Sequence, residues 1–153
     1  MQTAKQITIN LVNKPGRMAS VLDALSKAKV NLLALAVMDS RDRGRLRLVP
    51  DDAAAAEEAL SAANVPFDMI DVLLVDVPHQ PGAFARICQR LAEEHLSIDY
   101  AYCAAGGLKG TAKGGALAVI RVNELAKAQR VLSGASSNGH RASRPGRRPV
   151  HAR

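Results

Sequence analysis

The chain has 153 residues, enough for one ordinary domain or two small modules, and too few for a barrel enzyme or a dinucleotide-binding domain with a separate substrate domain. Hydrophobic residues make up 48% and charged residues 23% of the sequence, which favours a globular chain, but two Phe, two Tyr and no Trp leave an aliphatic core and little to stack on bases or sugars. Much of the formal net charge of +7 comes from residues 140–153, which carry five Arg and no acid, so the basicity predicts a charged tail rather than a nucleic-acid-binding face.

The first predicted elements are a strand, a turn and a helix. Apolar residues alternate with polar ones over residues 7–11, which predicts a strand. A turn at Pro15-Gly16 follows, and a second strand begins at Val30-Asn31-Leu32. Between them, four apolar residues at i, i+3, i+4 and i+7 predict an amphipathic helix that ends near Lys29: Met18, Val21, Leu22 and Leu25.

The first half of the chain continues with a hairpin, a helix and a strand. Residues 39–44 are predicted to form a polar hairpin loop, and residues 45–49 a third strand. Pro50-Asp51-Asp52 starts an alanine-rich helix that runs to about Ala63, since acidic residues suit the N-terminal end of a helix dipole. Residues 67–71 can form a fourth strand. The first half therefore reads βαββαβ.

The same pattern recurs later in the chain at a constant offset, which matches Ile7 with Leu73. A strand over residues 73–77 and a turn at Pro81-Gly82 come first, and Leu96-Ser97-Ile98 later begins a second strand. The intervening helix repeats the apolar spacing of the first half: Phe84, Ile87, Cys88 and Leu91. The chain is thus an internal repeat.

The second half departs from the first near the end of the chain. A Gly-rich loop at 104–115, a strand at 116–122 and a helix from about 123 to 132 are predicted, but residues 134–153 offer almost nothing apolar to bury. Such a composition cannot offset the ~1–2 kcal/mol per residue lost on ordering the backbone. We expect a mobile tail in place of a fourth strand, which would leave residues 73–77 unpaired along one side.

Each half follows the ferredoxin-like plan, with both helices on one face of an antiparallel sheet. We predict an α+β fold of two such modules, residues 1–70 and 71–133, the second lacking its last strand, followed by a basic, disordered tail at 134–153. This plan hosts many functions. RNA recognition motifs that share it stack bases on aromatic residues of the first and third strands, and metal chaperones carry paired cysteines in the first loop; neither feature is present here.

Catalytic and metal chemistry lack support in the sequence. We find no nucleophile elbow, phosphate loop or paired-carboxylate motif, and expect neither an enzyme nor a cofactor. Cys88 and Cys103 lie without a Cys-x-x-Cys motif or a matching His cluster, so we expect no metal site and two reduced, mostly buried thiols. Tyr100 and Tyr102 share one face of a predicted strand and are expected to pack in the core. Because no apolar run approaches the ~20 residues that span a bilayer and no signal peptide opens the chain, we expect a cytoplasmic protein without a membrane partner.

The strand-to-helix turns carry a resemblance to a known family. They read Asn13-Lys-Pro-Gly-Arg-Met-Ala-Ser and His79-Gln-Pro-Gly-Ala-Phe-Ala-Arg, and Asn31 and Ser97 occupy matching places at the entry to the second strands. Over about residues 5–133 the chain resembles a tandem pair of ACT domains. These are amino-acid-sensing regulatory modules attached to enzymes such as phosphoglycerate dehydrogenase and aspartate kinase.

The resemblance implies a ligand site between two modules. In ACT domains that bind amino acids, one module contributes the polar residue two before the Pro together with the Gly of Pro-Gly, and its neighbour contributes the Asn that enters the second strand. In the first half all three positions match: Asn13, Gly16 and Asn31. In the second half only the glycine matches: His79, Gly82 and Ser97.

These residue types suit a zwitterion. The start of a helix offers unpaired N–H groups to a carboxylate, and Gly16 lets a ligand approach the backbone without a Cβ in the way. Asn13 and Asn31 each offer a donor and an acceptor. Alternatively, Pro-Gly is ordinary turn chemistry and the two asparagines bond local backbone. Arg17 either adds charge for the carboxylate or stays solvated, and His79 either contacts the ligand or has no partner.

We therefore expect a non-catalytic, amino-acid-binding regulatory protein that forms a homodimer or larger closed oligomer and reports to an enzyme or transporter. The alternative is a small interaction or nucleic-acid-associated protein that binds through its Arg-rich tail. Deleting the tail discriminates the two, because amino-acid binding should survive the deletion and nucleic-acid binding should not.

Overall fold

The structure is a computed structural model that describes residues 1–38, 43–105 and 115–134. These ranges contain six strands and four helices: β1 (Gln2–Val12), α1 (Arg17–Lys27), β2 (Leu32–Met38), β3 (Arg43–Pro50), α2 (Ala53–Ala62), β4 (Asp68–Val77), α3 (Ala83–Glu93), β5 (Ile98–Ala105), β6 (Ala116–Val122) and α4 (Leu125–Leu132). The predicted α+β class is confirmed. The order of elements is confirmed as well, except that the strands predicted at 67–71 and 73–77 form one continuous strand, β4. None of the helices in the described ranges combines the length and apolar character that crossing a bilayer requires.

All six strands belong to one antiparallel sheet with the order β2-β3-β1-β4-β6-β5. The sheet is continuous because β1 and β4 are long and each serves both halves of the chain. The carboxyl-terminal half of β1 pairs with β3, while its amino-terminal half pairs with β4. The predicted division between residues 70 and 71 falls within β4 and stays a prediction.

The two halves are related by an approximate twofold axis through the pairing of β1 with β4. Lys5 lies directly opposite Asp71, which is its own equivalent in the internal repeat. Lys5 Nζ and Asp71 Oδ1 are 2.9 Å apart. Both side chains are about half exposed, so this ion pair marks the axis but contributes little stability.

The expectation that residues 73–77 would be unpaired along one side is wrong at its first two positions. Thr3 and Gln2 pair with Leu73 and Leu74, so the start of β1 lies where a fourth strand of the second half would lie. Sequence periodicity missed this part of β1 because residues 2–6 are mostly polar, and their strand conformation depends on pairing with β4. Most of the predicted hairpin loop (39–44), Gly-rich loop (104–115) and tail (134–153) lies outside the described residues. Where the two loops are described, residues 43–44 belong to β3 and residues 104–105 to β5, so the loops are shorter than predicted.

The four helices lie on one face of the sheet, as predicted. Directly opposed residues of an antiparallel pair share a face, so the pairs Thr3 with Leu73 and Ile7 with Met69 place the odd-numbered residues of β1 and β4 together. The first-half helices bury this face in one apolar cluster, centred on Ile7, Ile9, Leu25, Leu46, Leu48 and Leu60. The second-half helices do the same with Leu73, Leu91, Leu96, Ala118, Ile120 and Ala128.

The sheet curls strongly toward its other face. Although β2 and β5 end the strand order at opposite edges, some of their Cα atoms lie within 8 Å of one another. This concave face holds a third apolar cluster: Ala34, Val49, Val72, Leu74, Leu117 and Val119. The curl follows the twist common to β-sheets, and it buries a face that a flat sheet would leave open to water.

Candidate functional site

The loop between β1 and α1 brings together three of the predicted ligand residues. Asn13, Gly16 and Arg17 are exposed and adjacent along the chain. Gly16 precedes the helix with φ of 84°, in the left-handed region, and no described side chain caps the first turn. A Cβ built at Gly16 would meet no atom of the described residues within 4 Å. The first turn of α1 is therefore open to an approaching ligand.

The corresponding loop of the second half has a similar backbone conformation but a different neighbouring side chain. Gly82 precedes α3 with φ of 77°, and no side chain caps this helix either. A Cβ at Gly82 would lie 3.5 Å from Nη1 of Arg86. The Arg86 side chain thus lies beside the second-half turn, whereas the equivalent first-half turn at Gly16 has no such neighbour among the described residues. His79 is exposed and lines a cleft of about 390 Å³ with neighbours such as Pro78, Gln80 and Ala116.

Asn31 is held by Asp51 in a local hydrogen-bond bridge. Its backbone N–H donates to Oδ1 of Asp51 and its side-chain Nδ2 donates to Oδ2, both at 3.0 Å. The backbone N–H of Asp51 donates in return to the carbonyl of Asn31 at 2.9 Å. The hydrogen bond from the Asn31 side chain lowers the pKa of Asp51. The side-chain amide of Asn31 therefore donates to a carboxylate that is distant in sequence, not to local backbone, while its Oδ1 accepts no hydrogen bond from any described residue.

The second half repeats this bridge with the amide on the other partner. The N–H of Ser97 donates to Oδ1 of Asn123 at 3.1 Å, and the N–H of Asn123 donates to the carbonyl of Ser97 at 3.2 Å. Asn31 and Ser97 thus occupy the same structural position, but only Asn31 places a side-chain amide at the start of the second strand.

The register of the sheet separates Asn31 from the other first-half residues. Asn31 immediately precedes Leu32, which pairs with Pro50, whereas the loop after Val12 lies at the far end of β2, where Met38 pairs with Arg45. Six residue steps of β2 correspond to about 20 Å. One copy of the first half therefore does not bring Asn31 to Gly16, and a site containing both requires a neighbouring module.

Exposed apolar side chains surround the first-half loop. Val12, Met18 and Val37 are 42%, 40% and 54% exposed, and Leu35 and Met38 on the same edge strand are exposed as well. Most of the equivalent second-half residues are smaller: Pro78, Phe84, Ala101, Cys103 and Ala104. A cleft of about 110 Å³ lies within this surface and is lined by residues that include Asn13, Arg17, Met18 and Val37.

The concave face carries a group of polar residues that sequence reasoning did not single out as a site. Arg47 and Gln6 are buried there, and Tyr100 lies beneath the guanidinium of Arg47. Alternation in residues 45–49 places the two arginines on one side of the predicted strand, but only the curl of the sheet shows that this side is enclosed.

The two cysteines differ in exposure. In the part of the chain that the structure describes, no three His, Cys, Asp or Glu side chains cluster closely enough to hold a metal. Cys88 is half-buried and Cys103 is exposed, so the expectation of mostly buried thiols is wrong for Cys103. Its strand, β5, is an edge of the sheet, which explains the exposure.

Comparisons with known proteins agree with this architecture. A family model described as an ACT domain pair matches residues 2–135. The solved structure of protein BT0572 from Bacteroides thetaiotaomicron is 33% identical, with a TM-score of 0.78 over 87% of this chain and 88% of that chain.

Two more distant structures share the fold. The ligand-free regulatory subunit of aspartate kinase from Thermus thermophilus has a TM-score of 0.60 and 19% identity over 90% of this chain and 99% of that chain. The corresponding subunit from Thermus flavus has a TM-score of 0.54 and 21% identity over 88% and 93%. No curated protein matches the chain significantly.

Proposed function

The chain belongs to the ACT domain pair family, and we propose that it is a non-catalytic regulatory protein that binds a free amino acid. The proposal places it in the cytoplasm, where it reports the concentration of that amino acid to an enzyme or transporter. The observation that carries it is the open first turn of α1, where an uncovered left-handed glycine lies between Asn13 and Arg17. The resemblance of the fold to aspartate kinase regulatory subunits supports a regulatory role.

The proposed site divides the two charges of the amino acid between two modules. The carboxylate binds at the first turn of α1, where N–H groups and the helix dipole favour an anion and where Asn13 and Arg17 supply further donors. The ammonium is bound by Oδ1 of Asn31 from a neighbouring module, because the hydrogen bonds to Asp51 orient the Asn31 amide and leave this oxygen available. In the second half, Arg86 beside Gly82 and the serine at position 97 make the corresponding site poorer in both respects.

The neighbouring module is proposed to come from a second copy of the chain. Asn31 lies about 20 Å from the loop of its own module, given the rise of a β-strand, so the chain's own first half cannot complete the site. The exposed surface formed by Val12, Met18, Leu35, Val37 and Met38 lies beside the loop, and covering it provides the driving force for pairing. A homodimer through the first halves is therefore expected, with Asn31 of each copy near Gly16 of the other.

A thermal-shift screen against the twenty amino acids tests the proposed ligand class. At ~100 times its dissociation constant a ligand adds about 2.7 kcal/mol to the free energy of unfolding. Gly16→Val should weaken binding of the selected amino acid at least tenfold, about 1.4 kcal/mol. The matched loop variant His79→Ala should reduce the affinity less. A screen in which none of the twenty raises the melting temperature would remove the basis of the proposal.

Analytical ultracentrifugation tests the assembly. Val37→Asp places a charge in the middle of the exposed apolar surface, and it should convert the dimer to a monomer. The variant should also bind the amino acid more weakly, because Asn31 of the second copy no longer contributes to the site. Cys103→Asp changes the equivalent second-half position and serves as the matched control. A wild-type protein that stays monomeric at all concentrations with ligand saturating would contradict the proposed intermolecular site.

A further inference from the structure

The concave face of the sheet carries an open polar pocket between the two halves of the chain. The pocket has a volume of about 470 Å³, which is within the range of small-molecule sites. Its polar lining comes from β1 and β3 of the first half, from the start of β4, and from β5 of the second half: Thr8, Asn10, Arg45, Arg47, Asp68 and Tyr100. This concave-face pocket is separate from the loop before α1.

Arg47 is the central feature of the pocket. It is 9% exposed, and its guanidinium carbon lies 3.8 Å from the centre of the Tyr100 ring. Within the described residues it forms neither a hydrogen bond nor an ion pair. Among the described residues no buried side-chain nitrogen lacks a hydrogen-bond partner, so the unpaired guanidinium nitrogens of Arg47 are in contact with the open space of the pocket. Because Arg47 lines the pocket, its N–H groups are available to a molecule bound there.

The surrounding hydroxyl groups are also arranged as donors. Gln6 is fully buried, and its Nε2 donates to the hydroxyl oxygen of Tyr100 at 2.6 Å and to Oγ1 of Thr8 at 3.3 Å. The Tyr102 hydroxyl donates to Oε1 of Gln6 at 3.0 Å. Since the Tyr100 and Thr8 oxygens accept from Gln6, their own protons remain free to donate into the pocket. Among the described residues of the lining, Asp68 is exposed and is the single acidic one, so their net charge is positive.

The internal repeat shows that the fold does not need these polar groups. By the same relation that matches Lys5 with Asp71, Thr8 corresponds to Leu74 and Tyr100 to Ala34. Leu48 and Ile120 pair with equivalent residues of β1 and β4, so the neighbouring Arg47 corresponds to Val119. These three equivalents belong to the apolar cluster of the concave face. An apolar version of this surface is thus compatible with the fold.

We propose that the concave-face pocket binds a small organic anion, with its carboxylate held by Arg47 and Tyr100. A guanidinium matches a carboxylate with two parallel N–H groups, and a second donor from the tyrosine hydroxyl completes the set. The ligand joins β1 and β3 of the first half to β5 of the second, so it stabilises the curled form of the sheet. This site is independent of the amino-acid site proposed at Gly16.

Tyrosine fluorescence provides a direct readout, because the chain contains two tyrosines and no tryptophan, and both tyrosines belong to this network. The full chain is titrated with acetate, succinate and 2-oxoglutarate, and in parallel with inorganic phosphate and sulfate. At least one carboxylate should change the emission with saturation and more tightly than either inorganic anion. Arg47→Met should weaken that binding at least tenfold, whereas Arg130→Met, on exposed surface of α4, should not.

Stability measurements separate a ligand role from a structural one. Without ligand, Arg47→Met should unfold at the same or a higher temperature than wild type, because no described residue forms an ion pair with the charge that the variant removes. Tyr100→Phe should stay folded, since Gln6 keeps its hydrogen bonds to Thr8 and Tyr102. This variant should also bind the carboxylate more weakly than wild type. Loss of folding in Arg47→Met, undiminished binding in both variants, no saturable response to any carboxylate, or equal affinity for phosphate or sulfate would each overturn the proposal. Gly16→Ala should bind the carboxylate as wild type does, so failure of the amino-acid site leaves this result intact.

Discussion

Replacing Gly16 and Gly82 by alanine separates ligand binding from backbone strain. Both glycines precede a helix in the left-handed region, with φ of 84° and 77°. At Gly16 the added Cβ meets no atom within 4 Å in the part of the chain that the structure describes, and at Gly82 it makes an ordinary contact with the flexible Arg86 side chain. Neither substitution introduces a clash, so the cost at each site is the left-handed conformation alone, about 1–2 kcal/mol. The two variants should therefore lose similar stability.

Urea unfolding followed by circular dichroism measures this loss, and the slope with denaturant should stay unchanged. Isothermal titration calorimetry then measures the affinity for the amino acid selected by the thermal-shift screen. Gly16→Ala should weaken it at least tenfold, about 1.4 kcal/mol, because the Cβ occupies the space through which the carboxylate reaches the first turn. Gly82→Ala should leave the affinity unchanged.

Two results would refute this reasoning. Equal affinity in Gly16→Ala and wild type would mean that the carboxylate does not bind at the first turn of α1. A stability loss confined to one variant would mean that left-handed strain does not account for the cost, because the two turns have nearly the same backbone.

Three further predictions concern titration and the tail. Burial raises the pKa of Tyr102, so the free energy of unfolding should fall as pH rises above the unfolded value of about 10, and spectrophotometric titration of Tyr102→Phe should lack the late-ionising group. The hydrogen bond from Asn31 lowers the pKa of Asp51, so the ionised carboxylate stabilises the folded state above about pH 4, and this stabilisation is lost as pH falls. Asn31→Ala should raise the pKa of Asp51 in a carboxyl NMR titration and make the free energy of unfolding depend less on acid pH. Truncation after Ser133 should leave the urea midpoint and amino-acid affinity nearly unchanged and reduce salt-sensitive retention on a polyanion column; an unfolded truncated chain would show that the tail supplies structure.

Local sequence patterns determined the elements and their order. The apolar spacing from Met18 to Leu25 predicted a helix, and α1 covers Arg17–Lys27. The internal repeat predicted two equivalent halves, and the pairing of Lys5 with Asp71 confirms that relation. The helices and strands depend on residues a few positions apart, so periodicity alone was sufficient to find them.

Pairing partners determined what periodicity could not. The start of β1 is polar, and it forms a strand because β4 lies beside it. Asn31 is oriented by Asp51, which follows it by 20 residues, after β2 and β3. The sequence position of Asn31 therefore predicted a role for this residue, but not the hydrogen bonds that its N–H groups donate to Asp51.

Sheet curvature decided the environment of Arg47. In the sequence, Arg45 and Arg47 alternate with leucines, a pattern that indicates a solvated strand face. Curvature depends on the twist of all six strands and on the contact of β2 with β5, and no local segment contains that information. Composition and spacing thus determined the repeat, the helices and the loop residues. The approach of one sheet edge to the other placed Arg47 and Tyr100 in one pocket and buried Gln6 beneath Tyr100.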